Sequence, residues 1–146
     1  MIKMSISGIS EIQAALDQFV PETAAKLMNN TVRTLAVEFK DEIELRAPDH
    51  RSLNLKRSIK VKKRRNEHNL PMFSVVFDAG KRAKHSGFYW RFIEHGTNKL
   101  AAKPFVNPAI MSVNKTLDER ITRIFSKKLE QTVKRQFNKL KKKRKK

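Results

Sequence analysis

The 146-residue chain carries 33 Lys and Arg against 14 Asp and Glu, a formal net charge of +19, and no cysteine. Disulfides, a thiolate nucleophile and zinc–thiolate sites are thereby excluded, and no apolar run is long enough for a transmembrane helix. The length suits one domain with a modest core. The charge is unevenly placed: residues 1–50 hold five basic and eight acidic side chains, and the remainder holds 28 basic and six acidic. A surface this basic attracts polyanions, with nucleic acid the first candidate.

Taken in order, Ile2, Met4 and Ile6 alternate with Lys3, Ser5 and Ser7, which predicts a short half-buried strand ending at Gly8. This opening lacks the continuous apolar stretch of a signal peptide. Ile9, Ile12, Leu16 and Phe19 fit one helical stripe, and Pro21 interrupts or restarts it. Ala24, Leu27, Met28, Val32, Leu35, Phe39 and Ile43 recur at spacings of three and four and predict an amphipathic helix, closed by Ala47-Pro48. Residues Asp49–Asn54 read as a polar loop. From Leu55 the chain leads into a second alternating segment, with Ile59 and Val61 on one face and Lys60 and Lys62 on the other. Phe73, Val75 and Phe77 alternate again. The polar stretch Asn66–Pro71 between them predicts an antiparallel hairpin. Ala79–Gly87 is a basic loop.

Beyond it, Tyr89, Phe92 and Ile93 lie at i, i+3 and i+4 and share one face of a short helix. Gly96 can take the left-handed conformation that ends such a helix, and Pro104 makes Lys103 extended. Asn107-Pro108 reads as an N-cap followed by proline at the first helical position. Ile110, Val113, Leu117, Ile121, Ile124, Leu129, Val133, Phe137 and Leu140 then keep helical spacing, with one slip near Phe125. A single helix over 107–140 would be about 50 Å long. That exceeds a domain of this size, so either part of its apolar stripe meets a neighbouring subunit or protein, or the helix bends or breaks and folds back. Lys141, Lys142, Lys143, Arg144, Lys145 and Lys146 repel one another and are expected to stay mobile unless they meet an anion. The fold expected is α+β: N-terminal helices packed on a small, mainly antiparallel sheet, with a long C-terminal helix. The division is a body over 1–106, a helix over 107–140 and a basic tail over 141–146.

Catalytic chemistry finds little support. His50, His68, His85 and His95 are scattered and lack the paired spacing of a metal site. Glu94-His95 could serve as acid and base in a nuclease, but no second carboxylate cluster accompanies it, as a two-metal mechanism needs. Glu94 is better used against a neighbouring cation or as a cap on backbone amides. Neither a phosphate-binding loop nor a nucleophile elbow is present. No catalytic residue, metal site or cofactor is expected. Phe73 and Phe77 could stack on bases, yet they share a strand face with Val75, which favours a core.

The stretch Tyr89, Phe92-Ile93-Glu94, Gly96-Thr97, then Pro104-Phe105 and Pro108-Ala109 resembles the Y-x-x-F-[IV]-E-x-G-T … [RK]-P-F-x-x-P-A pattern of a tailed-phage family. Its members are tail-component, neck or tail-completion proteins, similar in role to minor tail protein Z of lambda-like phages. Ala47-Pro48, Leu55 and Ser58-Ile59 resemble the same family's A-P-x(n)-T-G-x-L-x-x-S-I pattern. Ser52-Leu53 departs from its Thr-Gly, since Leu53 lacks the backbone freedom of glycine. The resemblance spans roughly residues 9–115. It implies a non-enzymatic virion protein at the tail or head–tail junction, assembled in the host cytoplasm, which completes the tail or joins it to the head. It also implies a hexameric ring around the DNA channel and contact with other tail or neck proteins. In that setting the six basic residues at 141–146 would touch packaged DNA non-specifically. Composition alone supports an alternative, a cellular nucleic-acid-binding module with a basic C-terminal arm; a membrane role ranks below both.

Overall fold

Pro21 opens the first helix, α1 (Pro21–Arg46), in the computed structural model. The structure describes residue 19 and residues 21–48, 54–65, 70–80 and 86–143, with side chains through residue 135. Proline suits the first turn because its missing N–H has no intrahelical partner there. Glu22 in the first turn and Arg46 in the last match the helix dipole. Lys26 pairs with Glu22 in the open, and Lys40 with Glu44 and Arg46 with Glu42 at half-buried positions, each at i,i+4. The Ala47 N–H still reaches the Ile43 carbonyl at 2.9 Å, and the chain leaves the helix at Pro48. The strand expected at Ile2–Ile6 and the helical stripe from Ile9 lie outside the described residues, apart from Phe19.

A one-turn helix, α2 (Asn54–Ser58), feeds directly into β1 (Ile59–Arg64), where the sequence had suggested only a lead-in to the strand. β1 pairs antiparallel with β2 (Met72–Phe77), in a register that sets Ile59 against Phe77, Val61 against Val75 and Lys63 against Phe73. Lys60, Lys62 and Arg64 fall on the opposite face, across from Val76, Ser74 and Met72. The hairpin is therefore as the alternation predicts. Two short helices follow, α3 (Trp90–His95) and α4 (Val106–Lys115), and then the long α5 (Leu117–Lys143). The fold is α+β, and no helix among the described residues is long and apolar enough to cross a membrane.

The single helix expected over 107–140 is in fact two. They part at Thr116, whose φ of −118° and ψ of 17° are not helical and whose N–H turns back to the Val113 carbonyl. Lys115 ends α4, and Asp118 and Glu119 begin α5, so each end carries the charge its dipole favours. Thr116-Leu117-Asp118-Glu119 also has the Thr-x-x-Glu form of a capping box. At 27 residues, α5 is about 40 Å long.

Two compact units are present. Ala36–Thr116 forms one. Its core is Ile43, Ala47, Leu55, Ile59, Ile93, Phe105 and Ala109, closed by Phe39, Val75, Phe77, Tyr89, Trp90 and Val106. The other joins Met1–Leu35 with Leu117–Lys146. Here Leu27, Phe125 and Leu129 are buried together, with Phe19, Met28 and Ile121 against them. The slip noted near Phe125 is thus no interruption: Ile121, Phe125 and Leu129 are spaced at i, i+4 and i+8 on one buried stripe.

Candidate functional site

The residues singled out by the sequence meet in the Ala36–Thr116 unit. Ala47, Leu55, Ser58 and Ile59 are all buried. Ser58 is a polar residue with no exposed surface, and its hydroxyl donates to the Leu55 carbonyl at 2.6 Å. Its carbonyl accepts the Asp78 N–H at 2.8 Å; the Asp78 carbonyl accepts the Gly87 N–H, and the Gly87 carbonyl accepts the Trp90 N–H. These bonds step from the end of α2, past β2, to the start of α3. Gly87 is buried on Ser58, so closely that a Cβ there would lie 2.0 Å from Ser58 Oγ and 2.8 Å from its Cβ. No larger residue fits without moving the serine. Ser52-Leu53 lies outside the described residues.

Aromatic rings then fix α3. Trp90, the only tryptophan, stacks on Phe77 of β2 with centroids 4.6 Å apart and planes 11° from parallel. Phe77 in turn meets Phe105 edge-on at 6.0 Å. Arg91 lies over the Trp90 ring at 5.5 Å. Tyr89, at the N-cap of α3, is half-buried against this core, and Ile93 is buried within it. Phe92 is not: it is 52% exposed. The shared face expected of Tyr89, Phe92 and Ile93 therefore points its middle member to solvent. On a helix of one and a half turns, the buried side is taken by Ile93 and Glu94.

Glu94 is the central polar group of the module. It is buried, and its carboxylate accepts three successive backbone N–H groups: Phe105 at 2.7 Å and Val106 at 2.9 Å on Oε2, and Asn107 at 2.9 Å on Oε1. The next residue, Pro108, has no N–H to satisfy. Ala109 then makes the first intrahelical bond, to the Phe105 carbonyl at 3.4 Å. All four amide positions that a helix leaves open at its start are thus accounted for. The sequence expected Asn107 to cap α4 and Pro108 to be its first residue. Instead the helix begins at Val106, Phe105 sits at the N-cap without a side-chain bond, and the cap comes from Glu94 of the preceding helix. Burial would push the Glu94 carboxyl up; the three N–H groups, with His95 nearby, outweigh it and hold the group below its ordinary value. With these bonds the carboxylate is a structural anchor for backbone.

The connection between the two helices is shaped to deliver those amides. Gly96 has φ 76° and ψ 179°, a region open essentially to glycine alone. Its φ is positive as the sequence implied, but its ψ is extended rather than left-handed helical. A Cβ on it would lie 2.8 Å from Ala102 N and 2.9 Å from Leu100 O. Thr97 and Leu100 exchange backbone bonds at 2.8 and 3.2 Å, and Thr97 Oγ1 accepts the Lys99 and Leu100 N–H groups. Lys103 N–H returns to the Ile93 carbonyl at 2.8 Å. Pro104 is exposed, Phe105 is 1% exposed and Ala109 is fully buried.

The family model described as "Bacteriophage HK97-gp10, putative tail-component" matches residues 10–96, more than half of the chain. The chain belongs to this HK97-gp10-like family. The matched span holds the Ala47–Ile59 signature and the Tyr89–Gly96 half of the second; Pro104–Ala109 lies beyond it. A phage tail-component role follows for the HK97-gp10-like chain. No curated protein and no solved structure gives a significant match. Among the described residues, no group of three or more His, Asp or Glu side chains is placed to hold a metal ion. Lys141, Lys142 and Lys143 extend α5, their side chains outside the described residues, as is all of Arg144–Lys146.

Proposed function

We propose that this tail component is a structural protein of the virion neck or tail that completes the tail or joins it to the head. It would do so as a hexameric ring around the DNA channel. The family match over residues 10–96 is the observation that carries this reading. It is supported by a module whose buried carboxylate, glycines and aromatics serve packing, leaving surface and charge for partners. Among the large apolar side chains exposed on that module, Phe88, Phe92 and Leu100 suit cover by a neighbouring subunit or another tail or neck protein. The protein acts by assembly in the host cytoplasm and resides in the virion, without a catalytic step or a cofactor.

In such a ring, six copies of Lys141–Lys146 would line the lumen and contact packaged DNA through its phosphates, without reading sequence. The experiment is to assemble particles without this protein, and with a form lacking Lys141–Lys146, and to image both by negative stain. Loss of head–tail joining without the protein, with normal rings but weakened DNA retention in the truncated form, is the expected result. Complete, infectious particles in its absence would overturn the reading. The alternative of a cellular nucleic-acid-binding module predicts sequence- or structure-selective nucleic-acid binding by a monomer or dimer.

A further inference from the structure

We infer that the outward face of the β1–β2 hairpin is a second phosphate-binding surface, fitted to the backbone of duplex DNA. The inference extends the DNA-contact part of the proposed function to another surface and does not depend on a ring.

The pattern of the hairpin sets its two faces apart. Ile59, Val61 and the exposed Lys63, with Phe77, Val75 and Phe73 across from them, occupy one face, and Ile59, Val75 and Phe77 join the core. That packing fixes which way the other face points. On it stand Lys60, Lys62 and Arg64, all exposed, at every second residue of one strand. Strand geometry spaces them about 6.7 Å apart, close to the separation of successive phosphates along one nucleic-acid strand. The two ends of the row are held in place. Arg64 Nε donates to Ser74 Oγ at 2.9 Å across the sheet, and Lys60 pairs with Asp78.

The chemistry of the face selects phosphate over a protein partner. Lys, Arg and Ser are the side chains that contact phosphates. No aromatic residue lies on this face, since Phe73 and Phe77 point the other way; its apolar members are Val76 opposite Lys60 and the exposed Met72 opposite Arg64, one at each end of the row. Protein interfaces centre on aromatic anchors and are poor in lysine. Asp78 is the acidic group that faces the row among the described residues, and it engages Lys60 at one end. Lys62 and Arg64 would supply the phosphate contacts, with Lys60 restrained by its carboxylate.

The test uses the purified full-length protein and a short fluorescein-labelled duplex DNA of mixed sequence, with affinity measured by anisotropy between 50 and 200 mM salt. Each lost phosphate contact should flatten the slope by about 0.9, so Lys62→Gln with Arg64→Gln should shrink the affinity loss over that range about 12-fold. Asp78→Asn releases Lys60 and should steepen the slope by about 0.9, enlarging the loss about 3.5-fold. A thermal melt of the Asp78→Asn variant that matches the parent's excludes misfolding as the source of that gain. Both effects should persist when Lys141–Lys146 is removed, which separates this face from the tail. An unchanged slope in the folded double variant, or no steepening with Asp78→Asn, would overturn the proposal. So would a double variant that binds DNA normally but no longer joins particles, which would assign the face to an acidic protein.

Discussion

Glu94 and Phe105 belong to different elements, yet the carboxylate of the first holds the backbone N–H of the second at 2.7 Å and the next two amides at 2.9 Å. Hydrogen bonds to a charged group contribute roughly 1.5–3 kcal/mol each, and a buried N–H left without an acceptor costs about 1–3 kcal/mol. Glu94→Ala should therefore destabilise the protein by about 3 kcal/mol or more. Urea unfolding followed by Trp90 emission measures it, and a loss under about 1 kcal/mol would mean that water replaces the carboxylate.

The same site makes a pH prediction. The folded Glu94 carboxyl titrates below its ordinary value. Its contribution is therefore complete above the unfolded pKa of about 4.3 and is lost as pH falls from there through the lower folded value. Asp78, through its bond to Lys60, and Glu22, through Lys26, shift the same way. Comparing the parent with Glu94→Gln removes their effect. The parent's melting temperature should fall more steeply than the variant's as pH drops below about 4.3; parallel curves would count against the cap.

Of the two phenylalanines in the second signature, only one is packed. Phe105→Ala should cost about 3–5 kcal/mol, as for other buried aromatics, and should alter Trp90 emission, because Phe77 touches both rings. Phe92→Ala should stay within about 0.5 kcal/mol. Denaturant midpoints for the pair decide this, and equal midpoints would contradict the packing.

Gly87 and Ser58 form a testable couple. Gly87→Ala forces a Cβ onto the serine and should destabilise by about 1–3 kcal/mol, as overpacking does. Ser58→Gly removes both clashing atoms. The double variant should recover part of the loss, giving a favourable coupling in a double-mutant cycle. Strict additivity would show that the contact is relieved elsewhere.

Much of this was legible in the residues. Alternation at Ile59–Lys62 and Phe73–Phe77 was enough for the hairpin, since one buried face fixes the period. Pro21 marked the start of α1. The break at Thr116 was hidden by an apolar stripe that runs through it unaltered; the signal lay in the charges, Lys115 before and Asp118-Glu119 after. The cap on α4 was harder. Asn107-Pro108 is a good local start signal, but a buried carboxylate from α3 supersedes it, and no local rule can see a partner brought in by tertiary packing. Phe92 misled for a similar reason: helical spacing defines a face, whereas the neighbours decide which residues of it are covered.

The loop from Gly96 to Pro104 has a consequence for how the chain can vary. Asn98, Lys99, Ala101 and Ala102 are exposed and could be exchanged with little effect. Their number is another matter. The loop leaves α3 at Gly96, and its far end is tied back to the same helix, Lys103 to Ile93 and Phe105, Val106 and Asn107 to Glu94. One inserted residue would put every amide out of step with its acceptor. Beyond Gly96 and Thr97 the segment behaves as a ruler, tolerant of what is written on it and intolerant of a change in length.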